Sequence, residues 1–395
     1  MTEFERKYYR DRRGTGCAKW DGLSPEYGSE LLSMWVADMD FACPDSVRGI
    51  MMRAAEENLY GYFMPPAEWN SVFAAWEKER HGYEIRPEWI RHTHGVVTAI
   101  YRFISALTEK GDACMILTPC YYPFMSAIND TRRRLVCSRL RCRDGYYTPD
   151  LEDIEEKIKK ENVKALVLSS PHNPVGRVWT KEELGAMKEI CARYGAYVIS
   201  DEIHQDIELF GHRHIPTALA GGDNDRLVTL TAATKTFNLA GLSFSTAIAE
   251  SEELRGKYDE YALALHGGSN ITGYLASMAA YRDGKEWLDG CREQIEHNAL
   301  LFKSETERLL PEAVLSPLEG TYLQWIDLSA YAEADELENI MKKELSLAVD
   351  CGNMFFPPED GKDDCHIRIN LATSSSNAAE AARRLGRLSE RKKRK

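Results

Sequence analysis

The sequence predicts an α/β protein, with a large domain built on a mainly parallel sheet flanked by helices and a smaller α+β domain beside it. Three observations carry this. Short apolar runs alternate with amphipathic helical stretches between about residues 90 and 250. Both ends of the chain lose that alternation. The length, 395 residues, fits roughly two or three domains. The expected division is residues 48–285 for the large domain, with 1–47 and 286–395 forming the small one.

The elements follow in order. Ile90–Thr93 reads as a strand, and Gly95-Val96-Val97-Thr98-Ala99 opens a helix after it. Ala113–Thr118, Lys164–Ser169, Ala196–Ser200 and Arg226–Leu230 are short apolar runs bounded by turn residues, the pattern of fully buried strands. Thr148-Pro149-Asp150 opens a helix whose apolar side is Leu151, Ile154 and Ile158. Thr180 and Glu183 make a capping box, Leu184, Met187, Cys191 and Tyr194 keep helical spacing, and Gly195 ends that helix. After residue 285 come a long helical stretch, a strand-like segment Gly320–Leu328, and His366–Leu371, where Ile367 and Ile369 alternate with polar neighbours. Trp35–Phe41 is expected near this smaller domain or across the cleft.

Composition narrows the function. With 50 basic and 62 acidic residues the net charge is −12, which argues against nucleic acid or an anionic membrane as the main partner. No apolar run approaches the roughly 18 residues of a membrane span. Ten scattered cysteines fit free thiols in a reducing cytosol, and Met1–Arg13 has no apolar core of a signal peptide, so a cytoplasmic protein is expected. The basic Arg383–Lys395 reads as the solvated end of a last helix, with a nucleic-acid tail as the alternative. His92-Thr93-His94 and His212-Arg213-His214 lack a neighbouring ligand set, so no metal is expected. Cys120 reads as a small buried residue rather than a nucleophile.

In an open α/β sheet, ligands lie beyond the carboxyl ends of the strands. The residues found there are Gly95–Ala99, Pro119–Pro123 with Tyr121, Pro171–Gly176 with Asn173, Asp201–His204, and Thr234-Lys235-Thr236. Singly each has an ordinary structural reading: a turn, a helix cap, a packed ring or a surface amine. Together they gather a phosphate cradle, an aromatic face, an amide, a carboxylate and a lysine on one edge. Pyridoxal phosphate needs this set. Lys235 supplies the Schiff-base amine and later a proton carrier at the substrate α-carbon. Asp201 keeps the ring nitrogen protonated, Asn173 donates to the ring oxygen, Tyr121 stacks on the ring, and helix-start amides take the phosphate.

Three motifs carry a resemblance: Pro171-His172-Asn173-Pro174-Val175-Gly176, Ser200-Asp201-Glu202-Ile203-His204, and Ala233-Thr234-Lys235-Thr236-Phe237-Asn238-Leu239-Ala240-Gly241-Leu242. They resemble fold-type I pyridoxal phosphate enzymes of the aminotransferase class I/II superfamily. Trp35-Val36-Ala37-Asp38-Met39-Asp40-Phe41 and Lys235–Asn238 narrow this to a resemblance to the MalY/PatB group of cystathionine β-lyases. It runs from about residue 20 to 390.

The resemblance implies roles. Lys235 would carry the cofactor, Asp201 pair with its ring nitrogen, and Asn173 and His204 lie at the ring oxygen. Tyr121 would stack on the ring. The amides of Val96, Val97 and Thr98 and the hydroxyl of Thr234 would hold the phosphate. Tyr62, in Gly61-Tyr62, would reach the phosphate of a neighbouring subunit, implying a homodimer with shared sites. Arg368 would grip the substrate α-carboxylate, with Ala37 and Asp38 nearby; the plain reading of Arg368 is an edge-strand surface residue. Three positions depart from many aminotransferases: His204 in place of Tyr, Ser243 in place of Arg, and Thr98 in place of Pro.

The expected activity is α,β-elimination from an L-cystathionine-like amino acid, giving pyruvate, ammonia and a thiol. An aminotransferase, or a protein that keeps the fold and binds a regulator, are the alternatives.

Overall fold

The computed structural model describes residues 1–23, 31–265 and 270–392, the side chain of Lys392 excepted. A seven-stranded sheet forms its centre: β1 Ile90–Thr93, β2 Ala113–Thr118, β3 Arg134–Arg139, β4 Val163–Ser169, β5 Tyr197–Asp201, β6 Leu227–Thr231 and β7 Ser245–Ile248. Their order across the sheet is β1-β7-β6-β5-β4-β2-β3. The pairs from β6 to β3 are parallel, and only β7 runs against its neighbours.

The side-chain alternation of a strand explains why helices cover both faces. Cys114 and Ile116 of β2 point into one apolar cluster with Ile100, Phe103 and Ile104 of helix α1, Val96–Leu107. Met115 and Leu117 point into the other, with Ile154 and Ile158 of α2, Leu151–Glu161, and Leu184, Met187 and Cys191 of α3, Lys181–Arg193. Asp150 caps α2 by accepting from the Asp153 amide, and the Thr180–Glu183 capping box of α3 is complete.

The chain then enters a 25-residue helix, α4, Lys285–Leu309. A four-stranded antiparallel sheet follows, from β8 Val314–Leu315, β9 Leu323–Asp327, β10 Asp350–Cys351 and β11 His366–Asn370, ordered β8-β9-β11-β10. Helix α5, Ser375–Gly386, lies against α4 and buries Ala378, Ala381, Ala382 and Leu385. Near the N-terminus, Leu32–Ser33 pairs in parallel with Leu347–Ala348.

The expectations for β1, β2, β4, β5, β6, β9 and β11 agree with these elements to within a few residues. Four strands were not legible, β8 and β10 being only two residues long. β3 is an edge strand whose polar, half-exposed residues carry no buried-strand signal, and β7 is only four residues long. The basic C-terminus is the end of a last helix, Leu388–Lys392, as expected, with residues 393–395 outside the described ones, but one of its arginines is held. Arg391 pairs with Glu336 at 2.8 Å and Glu344 at 2.5 Å at the surface, and Arg384 pairs with Glu380. No helix among the described residues is long and apolar enough to cross a membrane.

Candidate active site

The parallel strands β2, β4, β5 and β6 end on one edge, and the turns after them converge there with the start of α1. A cavity of about 200 Å³ opens at that edge. Its wall includes Val96, Val97 and Thr98 from α1, Tyr121 after β2, Asn173 after β4, and Asp201 and His204 from the end of β5. Thr234 and Lys235 after β6, and Ala37 from the N-terminal segment, complete that set. Ten of the thirteen residues singled out from the sequence therefore meet in one place. The separation in sequence is closed by topology: each βα turn returns to the same edge.

The phosphate-sized end is made of backbone. Gly95 caps α1 with φ 102°, a conformation that L side chains rarely adopt, and its amide donates to Ser245 Oγ at 3.1 Å. The next three amides start a helix and have no intrahelical acceptor. Ser243 also lines the wall, with φ 46°, so the position eight residues after Lys235 faces the cavity with a hydroxyl.

The chemical end is buried and polar. Lys235 Nζ donates to the Ala37 carbonyl at 2.6 Å, and the Tyr322 hydroxyl donates to the same oxygen at 3.1 Å. Burial lowers the lysine to about 8, with Asp38 and Asp201 opposing and Arg368 assisting. Asp201 is pushed up to about 7 by burial, while the Ile203 amide and Lys235 pull it down. Burial also drives His204 well below the usual histidine range, and the nearby positive charges of Lys235 and Arg368 add to this, so the imidazole is neutral. His204 Nδ1 has no hydrogen-bond partner. Tyr121 is pushed up to about 12 by burial, so it is a neutral ring.

Two asparagines seat the segment 35–41 over this floor. Asn238 donates to the carbonyls of Met39 at 3.0 Å and Phe41 at 2.8 Å, and accepts from the Met39 amide. Asn370 of β11 donates to the carbonyls of Val36 at 2.6 Å and Asp38 at 2.8 Å. The segment thus bridges the two sheets. Asp38 itself pairs with Arg12 at 2.6 Å, and it is not in the cavity wall.

Arg368 lies just behind the wall. Its Nη1 donates to Asn173 Oδ1 at 2.9 Å, and the residue is only 2% exposed. The plain reading of a surface edge residue is therefore corrected: β11 is an inner strand, paired on both sides, and its guanidinium is buried. Its charge is met by Asp350, a residue that no sequence motif marks. Burial raises the Asp350 acid and Arg368 opposes that rise. Tyr62 is fully exposed and takes no part in this chain's own cavity. Sequence reasoning also missed Ser169, whose hydroxyl accepts from the Asn173 amide at 3.3 Å.

The remaining expectations can be placed. All ten cysteines are free thiols, and burial pushes the Cys120 thiol well up. Among the described residues no group of three or more His, Cys, Asp or Glu side chains is arranged to hold a metal.

Known proteins resemble this chain along most of its length. Residues 37–385 match the model of the family Aminotransferase class I and II. Cystathionine beta-lyase PatB of Bacillus subtilis is 34% identical over 380 residues, 95% of this chain and 97% of the relative. The structure of cystalysin from Treponema denticola, which contains a pyridoxal 5'-phosphate cofactor, superposes with a TM-score of 0.91 at 36% identity, covering 96% of this chain and 97% of that one. The PLP-bound C-S lyase of Staphylococcus hominis gives 0.89 at 32% identity, with 96% of each chain covered.

Proposed function

We infer the function from one premise: this chain belongs to the aminotransferase class I and II family. Within it the protein is a pyridoxal-phosphate-dependent C–S β-lyase. It converts an L-cystathionine-like thioether amino acid and water to pyruvate, ammonia and a thiol. The observation that carries this reading is one cavity holding a half-buried lysine, a buried carboxylate, an amide and a helix start. It occurs in a chain that aligns with a cystathionine β-lyase over 95% of its length.

The donor set fits the cofactor. Three amides at the start of α1 and the Thr234 hydroxyl suit a phosphate. No arginine stands at the Ser243 position, so phosphate affinity rests on these neutral donors. Asp201 suits a cationic ring nitrogen, and such a partner would bring its acid back down. Asn173 and the unpartnered His204 Nδ1 suit the ring oxygen, and Tyr121 offers a ring face. Lys235 suits the aldehyde because its lowered basicity leaves a usable fraction of neutral amine near neutral pH. Once bound, the cofactor supplies an electron sink for breaking the substrate Cα–H bond.

The protein's own residues do the rest. Arg368 orients the substrate by its α-carboxylate. Lys235 takes the α-proton, and the burial of the site keeps that amine from being permanently charged. Asn238 and Asn370 bond the carbonyls of Val36, Asp38, Met39 and Phe41 and so hold the segment whose Ala37 carbonyl accepts from Lys235. Loss of the β-thiolate and hydrolysis then complete the reaction.

A cytoplasmic homodimer completes the reading. Leu59, Tyr60, Tyr62 and Met64 expose a run of apolar surface on the segment that would reach a neighbouring subunit. Ten free cysteines suit a reducing compartment.

The direct test is pyruvate and thiol release from L-cystathionine by cofactor-loaded protein without added keto acid. Multiple turnovers are expected. Conversion of the cofactor to its amine form, with no thiol released, would overturn the lyase reading in favour of transamination.

A further inference from the structure

Arg368 is not a free cation waiting for a carboxylate. On β11 it stands opposite Trp325 of β9 on one side and Asp350 of β10 on the other. Directly opposed residues of antiparallel strands share a face, with Cβ atoms about 5 Å apart. The register alone therefore sets a carboxylate beside the guanidinium. Both residues are buried, at 2% and 5% exposure. Nη2 donates to Asp350 Oδ2, Nη1 donates to Asn173 Oδ1, and the Phe355 ring lies 4.9 Å from the guanidinium carbon. The Nε–H has no partner. The group is thus held on three sides and keeps one unsatisfied buried donor.

We propose that Asp350 is a specificity-determining residue of this site, which fixes Arg368 in place and weakens its hold on carboxylates, most of all on amino acids that carry a net negative charge. This rests on the reading of Arg368 as the carboxylate-binding residue. An unpaired guanidinium carries a full positive charge; the Arg368–Asp350 pair carries none. A substrate carboxylate that reaches this guanidinium gains a hydrogen bond from it and meets the Asp350 charge beside it. Among the described residues the cavity wall has Lys235 and no arginine, so a side-chain carboxylate finds no second guanidinium there. Amino acids with no net charge are admitted, L-cystathionine among them because its distal ammonium balances its distal carboxylate, and acidic amino acids with a net negative charge are disfavoured. The cost to the enzyme is weaker substrate binding. The gain is a preoriented guanidinium that needs no rearrangement.

The test compares Asp350→Asn, which keeps an acceptor without charge, with the wild-type holoenzyme. Calorimetric Kd values are measured for L-alanine and L-aspartate, together with kcat and KM for L-cystathionine. Removing one like charge next to the bound carboxylate should tighten L-alanine about tenfold, and L-aspartate by a larger factor. The L-cystathionine effect should fall on KM rather than kcat. Equal or weaker binding of both ligands by Asp350→Asn overturns the proposal, as does an equal gain for the two. Asp350→Ser is the second variant should the first fold poorly, with the same pattern expected. Arg368→Ala separates the two levels. If it binds both ligands as wild type does, the reading of Arg368 fails. If it loses both while Asp350→Asn changes neither, only the role given to Asp350 falls.

Discussion

The two walls of the site are made in different ways. The wall on the large sheet is assembled from turns that each follow a parallel strand, and each contributes a short contiguous motif: 171–176, 200–204 and 233–242. The wall on the small sheet is assembled by cross-strand register: Arg368 meets Asp350 because β10 and β11 pair as they do, across eighteen positions of sequence. The first kind of wall is specified by local sequence and the second by pairing. In the proposed function, chemistry sits on the first and recognition of the substrate on the second.

The largest test of that contrast is Lys235→Ala. Losing the amine should abolish the visible absorbance of the bound cofactor and lower pyruvate release by at least about 10²–10⁴-fold, the scale of a lost proton carrier. A variant that keeps the absorbance band would break the assignment of the chemical wall.

Arg368→Ala addresses the other wall. One lost charge-assisted hydrogen bond, roughly 1.5–3 kcal/mol, corresponds to about a 10- to 150-fold rise in KM. Cofactor affinity, read from the absorbance titration, should hold nearly constant. A loss of cofactor affinity as large as the rise in KM would mean that the two walls do not divide the labour as described.

Between the walls, Asn238→Ala and Asn370→Ala should each destabilise the fold by about 1–3 kcal/mol, because buried carbonyls of residues 36–41 lose their donors. Thermal melts measure this. Unequal losses would show which wall anchors the segment more firmly.

The smallest effect is a pH profile. Only neutral amine attacks an aldehyde, and burial lowers Lys235 from 10.5 to about 8. Recombination of cofactor with cofactor-free protein should therefore speed up as pH rises from 7 to 9 and level off above that. A rate still climbing toward pH 10.5 would mean that the amine is solvated.

Much of this molecule was legible before its structure. The buried strands showed as apolar runs, the helices α2 and α3 as spaced apolar residues with caps, and Lys235, Asp201, Asn173 and Tyr121 as polar residues placed after strands. The edge strand β3 did not show, because its apolar run is only Leu135-Val136-Cys137 and exposed arginines stand at both of its ends. Arg391 read as loose because its partners, Glu336 and Glu344, lie about fifty residues away in sequence.

What the sequence determined by itself was local: which segments bury both faces, where helices begin, and which reactive groups stand at strand ends. These depend on side-chain periodicity and capping, which act over a few residues. What only the tertiary structure decided was how charges are matched in the interior. Asp350 is an unremarked acid in a short segment until strand pairing places it beside Arg368, and Lys235 is an ordinary lysine until burial lowers its basicity. Desolvation and ion pairing depend on what surrounds a group in space, and no spacing along the chain encodes that.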